Sequence, residues 1–358
     1  MKIIHTSDLH LDSKIDGIPT EKSRIRREEV VASFEKMVEF ANQNDVRAII
    51  IAGDMFDTSR VTIKTKERVL GTIKKYQNID FLYVAGNHDE INFLSLTDEL
   101  PCNFFVFNDE WSTVDYDNIV VAGVNLNSVN QNAIYDTLTL DANKINIVVM
   151  HGQVAGYNSN QNAEIISIPK LKNKNIDYLA LGHIHSYSFG EIDERGNYAY
   201  SGCLEGRGFD ELGQKGFVLL DCADGKVNTT FVPFSTRINY EKEYDVTSVD
   251  TFFELVDLVK QDLANTFNSS SLVKVVLKGE HKPEFYIDKA MFEKKLNDMF
   301  FFAKVYDKTE LVVNPVDYEL DKSVRGEFVR AVWESNLTKE QKNKIIMCGL
   351  SALKGEDI

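Results

Sequence analysis

Five short motifs, each closing a run of apolar and β-branched residues, constrain this chain more than any other feature. They are Asp8-Leu9-His10, Gly53-Asp54-Met55-Phe56-Asp57, Gly86-Asn87-His88-Asp89, His151-Gly152 and Gly182-His183-Ile184-His185. Six of the seven histidines lie in or beside them. The runs that precede them read as strands. In open α/β sheets the carboxyl ends of the strands form the crevice where ligands bind, and residues far apart in sequence converge there. Glycines beside the polar residues permit tight turns and close backbone approach. A lone histidine in an apolar run is ordinarily a satisfied core residue, and His5 or His151 alone would be read so. The five motifs together, in this order, read as one metal centre.

The donor types narrow the metal. Imidazoles, carboxylates and an asparagine amide suit manganese, iron or zinc better than a lone hard ion. An aspartate between two histidine-bearing groups can bridge two ions. Metals roughly 3.5–4 Å apart clamp the attacking and leaving oxygens of a phosphoryl transfer, and bound water has its pKa lowered towards ~7. No cysteine takes part. Cys102, Cys203, Cys222 and Cys348 are scattered without a C-x-x-C pair, which predicts a reduced, cytoplasmic protein without a disulfide framework.

Strands alternate with amphipathic helices from the start. Lys2–Thr6, 48–52 and 81–85 read as strands. Helices are predicted over 23–42, where Val30, Val31, Phe34, Met37, Val38 and Ala41 recur at helical spacing, and over 61–76. This is the βαβ pattern of a largely parallel sheet. From about 118 the pattern changes to strand candidates at 118–124, 145–150, 177–181, 187–192, 198–201, 217–221 and 227–233. They predict a second sheet with fewer helices. A new module begins at 244, with strands at 244–246, 272–278 and 303–309 and helices at 249–265 and 288–300. A helical tail follows 315, in which Thr338 and Gln341 form a capping box and Gly349 is placed to end the last helix. His281 is read as an exposed turn residue unrelated to the metals, and Phe300, Phe301 and Phe302 as core.

Composition excludes some classes. At 43% hydrophobic residues the chain can bury a large core. No run of 18 apolar residues and no signal-peptide pattern occurs, so no membrane role is expected. Forty Lys and Arg against 55 Asp and Glu give −15, which argues against coating nucleic acid through bulk charge. The acidity is uneven. Residues 21–75 hold twelve basic and nine acidic side chains, a net of +3, whereas 76–145 hold Lys144 against eleven acids, a net of −10.

The motif order D-x-H, G-D-x-x-D, G-N-H-D, H-G, G-H-x-H resembles that of the calcineurin-like metallophosphoesterases. Within them the chain is most similar to SbcD-type DNA repair nucleases, through HTSDLHLDS, IAGDMFDTSR, VAGNHDE, LGHIHS and the loop YSGCLEGRGFDELGQKGF. The motifs span about residues 1–235. The resemblance implies an α/β fold, a two-sheet αββα sandwich over 1–235, with a small αβ capping module over 244–313 and a helical tail over 315–358. It implies that Asp8, His10 and His185 hold one metal, that Asn87, His151 and His183 hold the other, and that Asp54 bridges. His88 would contact the scissile phosphate or protonate the leaving oxygen, with Asp57 accepting its hydrogen bond. Asp89 is read as a turn residue.

The resemblance also implies a DNA substrate, an SbcC-like ABC-type ATPase docking on the tail, and a homodimer. Arg60 and Arg207 are the candidate substrate contacts, since arginine suits bidentate phosphate binding. Arg24, Arg26 and Arg27 read either as phosphate contacts or as a solvated helix face paired with Glu28 and Glu29. The leading function is a metal-dependent DNA nuclease in repair. A small-nucleotide phosphodiesterase or phosphomonoesterase is the alternative, and a scaffold that has lost catalysis is disfavoured by the intact motifs.

Overall fold

The computed structural model describes residues 1–57, 61–86, 100–156, 164–282 and 285–354. The chain divides into two units, 1–238 and 239–358.

In the first unit, strands β1 (Lys2–Thr6), β2 (Val46–Ala52), β3 (Asp80–Val84) and β4 (Phe104–Val106) alternate with helices α1 (Thr20–Gln43) and α2 (Ile63–Lys75). There follow β5 (Ser112–Tyr116), β6 (Ile119–Gly123), α3 (Ile134–Thr137), β7 (Ile145–His151), the two-residue strands β8 (Gln153–Val154) and β9 (Ile165–Ile166), and α4 (Ile168–Leu171). The unit ends with β10 (Tyr178–Gly182), β11 (Ser188–Glu191), β12 (Asn197–Tyr200), β13 (Gly216–Ala223) and β14 (Lys226–Pro233). Two six-stranded sheets result, in the orders β14-β13-β1-β2-β3-β4 and β11-β12-β10-β7-β6-β5. The strands β1 to β4 are parallel, as are β6, β7, β10 and β12. The sheet edges carry the antiparallel pairs β5–β6, β11–β12 and β13–β14.

Alternation within each strand builds the layers, because successive side chains point to opposite faces. In β2, Ile49 and Ile51 face the helices and pack with Phe34, Met37 and Val38 of α1. Ala48, Ile50 and Ala52 face inward and meet Val121, Ile147, Val149 and Ala180 of the second sheet. Burying each large aliphatic or aromatic side chain contributes about 1.5–3 kcal/mol, so this double-sided core fixes the strand register. The far face of the second sheet is covered by α3, α4 and loop residues around Tyr135, Leu138 and Leu171. That fourth layer is thin, with helices of four residues each.

His5 lies wholly buried on β1. It is bonded across to the second sheet, where Nδ1 is 2.8 Å from the Tyr178 hydroxyl and Nε2 is 3.2 Å from the Leu181 carbonyl. It is therefore an inter-sheet strut and stands apart from the metal-ligand groups. Burial pushes its pKa down from 6.5 to about 3, against the opposing Leu181 bond. Between those values the unfolded chain binds the extra proton, so stability falls as pH drops below about 6.5. The expected slope from this group is about 1.4 kcal/mol per pH unit. Urea unfolding of wild type and His5→Gln should show the wild type losing nearly that much more stability between about pH 6 and 5, and little between about pH 7 and 6.5. Parallel profiles would contradict it.

The second unit holds β15 (Asn239–Asp245), α5 (Phe252–Thr266), β16 (Leu272–Lys278), β17 (Glu280–His281), α6 (Lys289–Asn297), β18 (Phe302–Asp307) and β19 (Glu310–Leu311). A 3₁₀ turn (Pro315–Tyr318) leads to α7 (Val324–Trp333) and α8 (Lys339–Lys354). The parallel sheet β15-β16-β18 packs on α5 and α6 through Val256, Val259, Leu263, Phe292 and Leu296. The first strand begins at Asn239, five residues before the sequence reading. It is a charged edge strand, in which Glu241 and Glu243 pair with Lys274 and Lys278 of β16 at 2.6 and 2.5 Å. The capping box forms, with Thr338 N donating to Gln341 Oε1 at 3.0 Å and Gln341 N to Thr338 Oγ1 at 3.3 Å.

Gly349 does not end a helix. It lies inside α8, where a Cβ would sit 2.1 Å from the Phe328 ring, so it is there for close helix packing. His281 is half-buried in the β17–β19 ladder with its ring against Phe285, and is not an exposed turn residue. Phe300 and Phe302 are buried, in keeping with a core role. Among the described residues no helix is long and apolar enough to cross a membrane.

Candidate metal centre

The ends of β1, β2, β7 and β10 meet at one place in the first unit. There the backbone leaves the strand in left-handed turns: φ is 50° at Asp8, 44° at His10, 51° at Asp54 and 107° at His183. Such conformations cost a non-glycine residue of order 1–3 kcal/mol and persist where the surroundings over-determine them. Here the first two loops hold each other. Asp8 N donates to the Gly53 carbonyl, His10 N to that of Asp54 and Leu11 N to that of Met55, each at 3.0 Å. Glycines at these strand ends are required by contact, Gly53, Gly86 and Gly182 among them. A Cβ on Gly53 would lie 2.0 Å from His151 Nδ1, and one on Gly86 would lie 2.2 Å from Asp54 Oδ1.

Six of the seven predicted ligands are thereby brought together. Donor atoms of Asp8, His10 and His185 lie within 4.8 Å of one another, and so do those of Asp8, Asp54 and His151. His10 Nε2 is 3.2 Å from His185 Nε2. Asp8 is common to both groups, and Asp54 Oδ2 reaches towards a histidine of each, 3.8 Å from His10 Nε2 and 3.5 Å from His151 Nε2. His183 packs its ring edge-on to His151 with centroids 5.6 Å apart, and its backbone N–H donates to Asp8 Oδ1 at 2.9 Å. Ser7 Oγ donates to Asp8 Oδ2 at 2.5 Å and is 2.8 Å from Ser201 Oγ. Asn87, His88 and Arg60 lie outside the described residues.

The imidazoles are oriented from behind. His151 Nδ1 donates to the Ala52 carbonyl at 2.9 Å, which turns Nε2 towards Asp54. His185 Nδ1 donates to Glu211 Oε1 at 2.7 Å, which turns Nε2 towards His10 and Asp8. A histidine ligand whose second nitrogen donates to a carboxylate or carbonyl has its tautomer and ring direction fixed for metal binding. Burial pushes the His10 imidazole well below its usual range, and Arg207 adds to this, so the neutral, coordinating form is favoured. Burial pushes the Asp8 carboxyl up; His185 and His151 oppose this, and Asp54 reinforces it. Two buried carboxylates with this many imidazole nitrogens fit divalent cations, which neutralise the one and are ligated by the other.

Asp57 and Arg207 stand together at the rim, Nη1 of the arginine 3.9 Å from Asp57 Oδ2. Glu211 was not singled out in the sequence, and it holds Arg207 as well as His185: Oε1 accepts from Nη2 at 2.7 Å and from Nε at 3.0 Å. Its carboxyl, which burial alone would raise, is held well below the carboxylate range by His185 and Arg207. The triplet Arg24, Arg26 and Arg27 resolves in three ways. Arg24 is exposed. Arg27 bonds Asp12 at 2.7 Å. Arg26 is fully buried between Glu29 and Glu205, at 2.6 and 2.9 Å, and is neither on a solvated face nor open to DNA.

Imidazoles and carboxylates gathered at the strand ends of two facing sheets define a metallohydrolase centre. The chain belongs to the calcineurin-like phosphoesterase family, whose profile matches residues 1–187. It is 25% identical over 307 residues to an uncharacterized metallophosphoesterase, YhaO, of Bacillus subtilis, covering 80% of this chain and 74% of that one. Among solved structures, a dimetal phosphatase from Danio rerio aligns with 64% of this chain and 99% of its own, at 11% identity and a TM-score of 0.45. A Thermus thermophilus protein aligns with 64% of this chain and 98% of its own, at 14% identity and a TM-score of 0.42.

Proposed function

We propose that the chain is a two-metal phosphodiesterase that cuts DNA, acting with an SbcC-like ATPase in cytoplasmic DNA repair. The observation that carries the two-metal reading is the position of Asp54 Oδ2 between the His10 and His151 nitrogens. Asp8, His10 and His185 would hold one ion and Asn87, His151 and His183 the other, with Asp54 shared. Bound divalent ions supply an activated water at neutral pH and neutralise charge on the phosphoryl oxygens. Manganese heads the candidates through the resemblance to SbcD-type nucleases, and the donor types suit iron and zinc as well.

The chain's own residues do the rest. Arg207, fixed by Glu211, presents a guanidinium beside the ligands where a phosphate oxygen would lie. Arg60 follows the second motif and would add a second cation. His88 gives a proton to the leaving oxygen, and Asp57 orients it.

DNA as substrate is supported by the nuclease-like stretches of sequence, and by a whole unit, 239–358, beyond the phosphoesterase part. A small-molecule hydrolase needs no such addition. We assign 244–313 to substrate access and 315–358 to ATPase docking, in a homodimer. The net charge of −15 favours the competing small-nucleotide reading. The test is hydrolysis by the purified chain with Mn²⁺ of linear double-stranded DNA, single-stranded DNA and cyclic nucleotides. Degradation of DNA at a higher kcat/KM than the cyclic nucleotides is expected, and the reverse order would sink the nuclease reading. Deleting 315–358 should leave metal-dependent cleavage in place and abolish co-purification with the ATPase; unchanged co-purification would remove the docking assignment.

A further inference from the structure

We propose that Glu211 is a positioning residue that sets metal affinity and phosphate binding together, by holding His185 and Arg207 on one carboxylate. This rests on the reading of His185 as a ligand and Arg207 as a phosphate contact. Glu211 is 4% exposed. Its Oε1 accepts from His185 Nδ1 and from Arg207 Nη2, both at 2.7 Å, and its Oε2 accepts from the Arg207 backbone N–H at 2.6 Å. One group therefore fixes the imidazole ring, the guanidinium and the backbone that carries it.

The assembly is anchored from behind. Arg26, with no exposed surface, donates from Nη2 to Glu205 Oε2 at 2.9 Å and to the Gly206 carbonyl at 2.8 Å, directly before Arg207. Ser33 Oγ donates to the other oxygen of Glu205 at 2.7 Å. The buried Lys215 donates to the His185 carbonyl at 2.8 Å, so the histidine is gripped by its backbone and its ring.

The chemistry follows. An anionic acceptor behind a ligating imidazole raises its basicity and fixes its direction, and losing such a partner typically costs 10–100-fold in metal affinity. The same carboxylate engages the Nε and Nη2 edge of Arg207, which directs Nη1 to the Asp57 side of the rim. In Glu211→Gln the amide oxygen could serve His185 or Arg207, while its NH₂ would face donors. Both functions should weaken at once.

A double-mutant cycle separates this from a merely structural role. Wild type, Glu211→Gln, Arg207→Ala and the double variant would be compared by Mn²⁺ titration calorimetry, and by kinetics on bis(p-nitrophenyl) phosphate at saturating Mn²⁺. Glu211→Gln should bind Mn²⁺ about 10–100-fold more weakly and raise KM. Arg207→Ala should raise KM with Mn²⁺ affinity unchanged. The double variant should match Arg207→Ala in KM and Glu211→Gln in Mn²⁺ affinity. Wild-type Mn²⁺ affinity in Glu211→Gln, or KM effects that multiply in the double variant, would overturn the inference. If Glu211→Gln does not fold, Glu211→Asp, which keeps the charge and shortens the reach, must show the same two losses. A chain that shows this coupling on the aryl diester yet leaves DNA intact loses only the nuclease reading. One that cuts DNA without the coupling loses only the role of Glu211.

Discussion

Asp54→Ala is expected to leave the chain folded and without bound metal. Asp54 and Asp8 are both 1% exposed and share one pocket, so removing one carboxylate relieves their repulsion in the metal-free protein. The same change removes the oxygen that faces the histidines of both groups. Metal analysis should fall from two ions per chain to below one. Loss of metal-derived transition-state stabilisation of several kcal/mol corresponds to a drop in kcat/KM of at least about a thousandfold. A variant that still carries two metals would disprove the shared ligand.

His88→Asn is the second change with a large expected effect, and it should act oppositely on binding. In the proposed assignment His88 follows the ligand Asn87 without being a ligand itself, so two ions per chain should remain. Loss of a general acid costs typically 10²–10⁴-fold. The loss should be large on DNA, whose leaving alkoxide needs a proton, and small on bis(p-nitrophenyl) phosphate, whose leaving group departs as an anion. Equal losses on both substrates would indicate an electrostatic contact with the phosphate in place of proton donation. Retained DNA cleavage would exclude either role.

What the sequence disclosed and what it hid have physical causes. The central strands read clearly because β1, β2, β3, β7 and β10 are buried on both faces and appear as apolar runs. Helix α1 read clearly because its core-facing residues recur at helical spacing. Of the edge strands, β11, β14 and β18 were read, whereas β4, β5 and the start of β15 were not. β4 has three residues, and β15 is NYEKEYD, whose charges are satisfied by lysines of the neighbouring strand. Of the candidate ligands, Asp8, His10, Asp54, His151, His183 and His185 were legible because each follows an apolar run with glycine or a turn residue beside it. Glu211 and Glu205 were not, because a loop acid carries no periodic signal. The one trace was the spacing of Arg207 and Glu211, four residues apart in a loop rich in glycine. Arg26 looked like a surface helix charge because the burial that claims it comes from Glu205, 179 residues away.

The central claim is that the strand-end residues form a two-metal hydrolytic site. Anomalous scattering from crystals of the Mn²⁺-loaded chain tests it most directly. The account predicts two peaks, one in contact with Asp8, His10 and His185, the other with His151 and His183, and Asp54 touching both. A single peak, or two peaks without Asp54 between them, would contradict it.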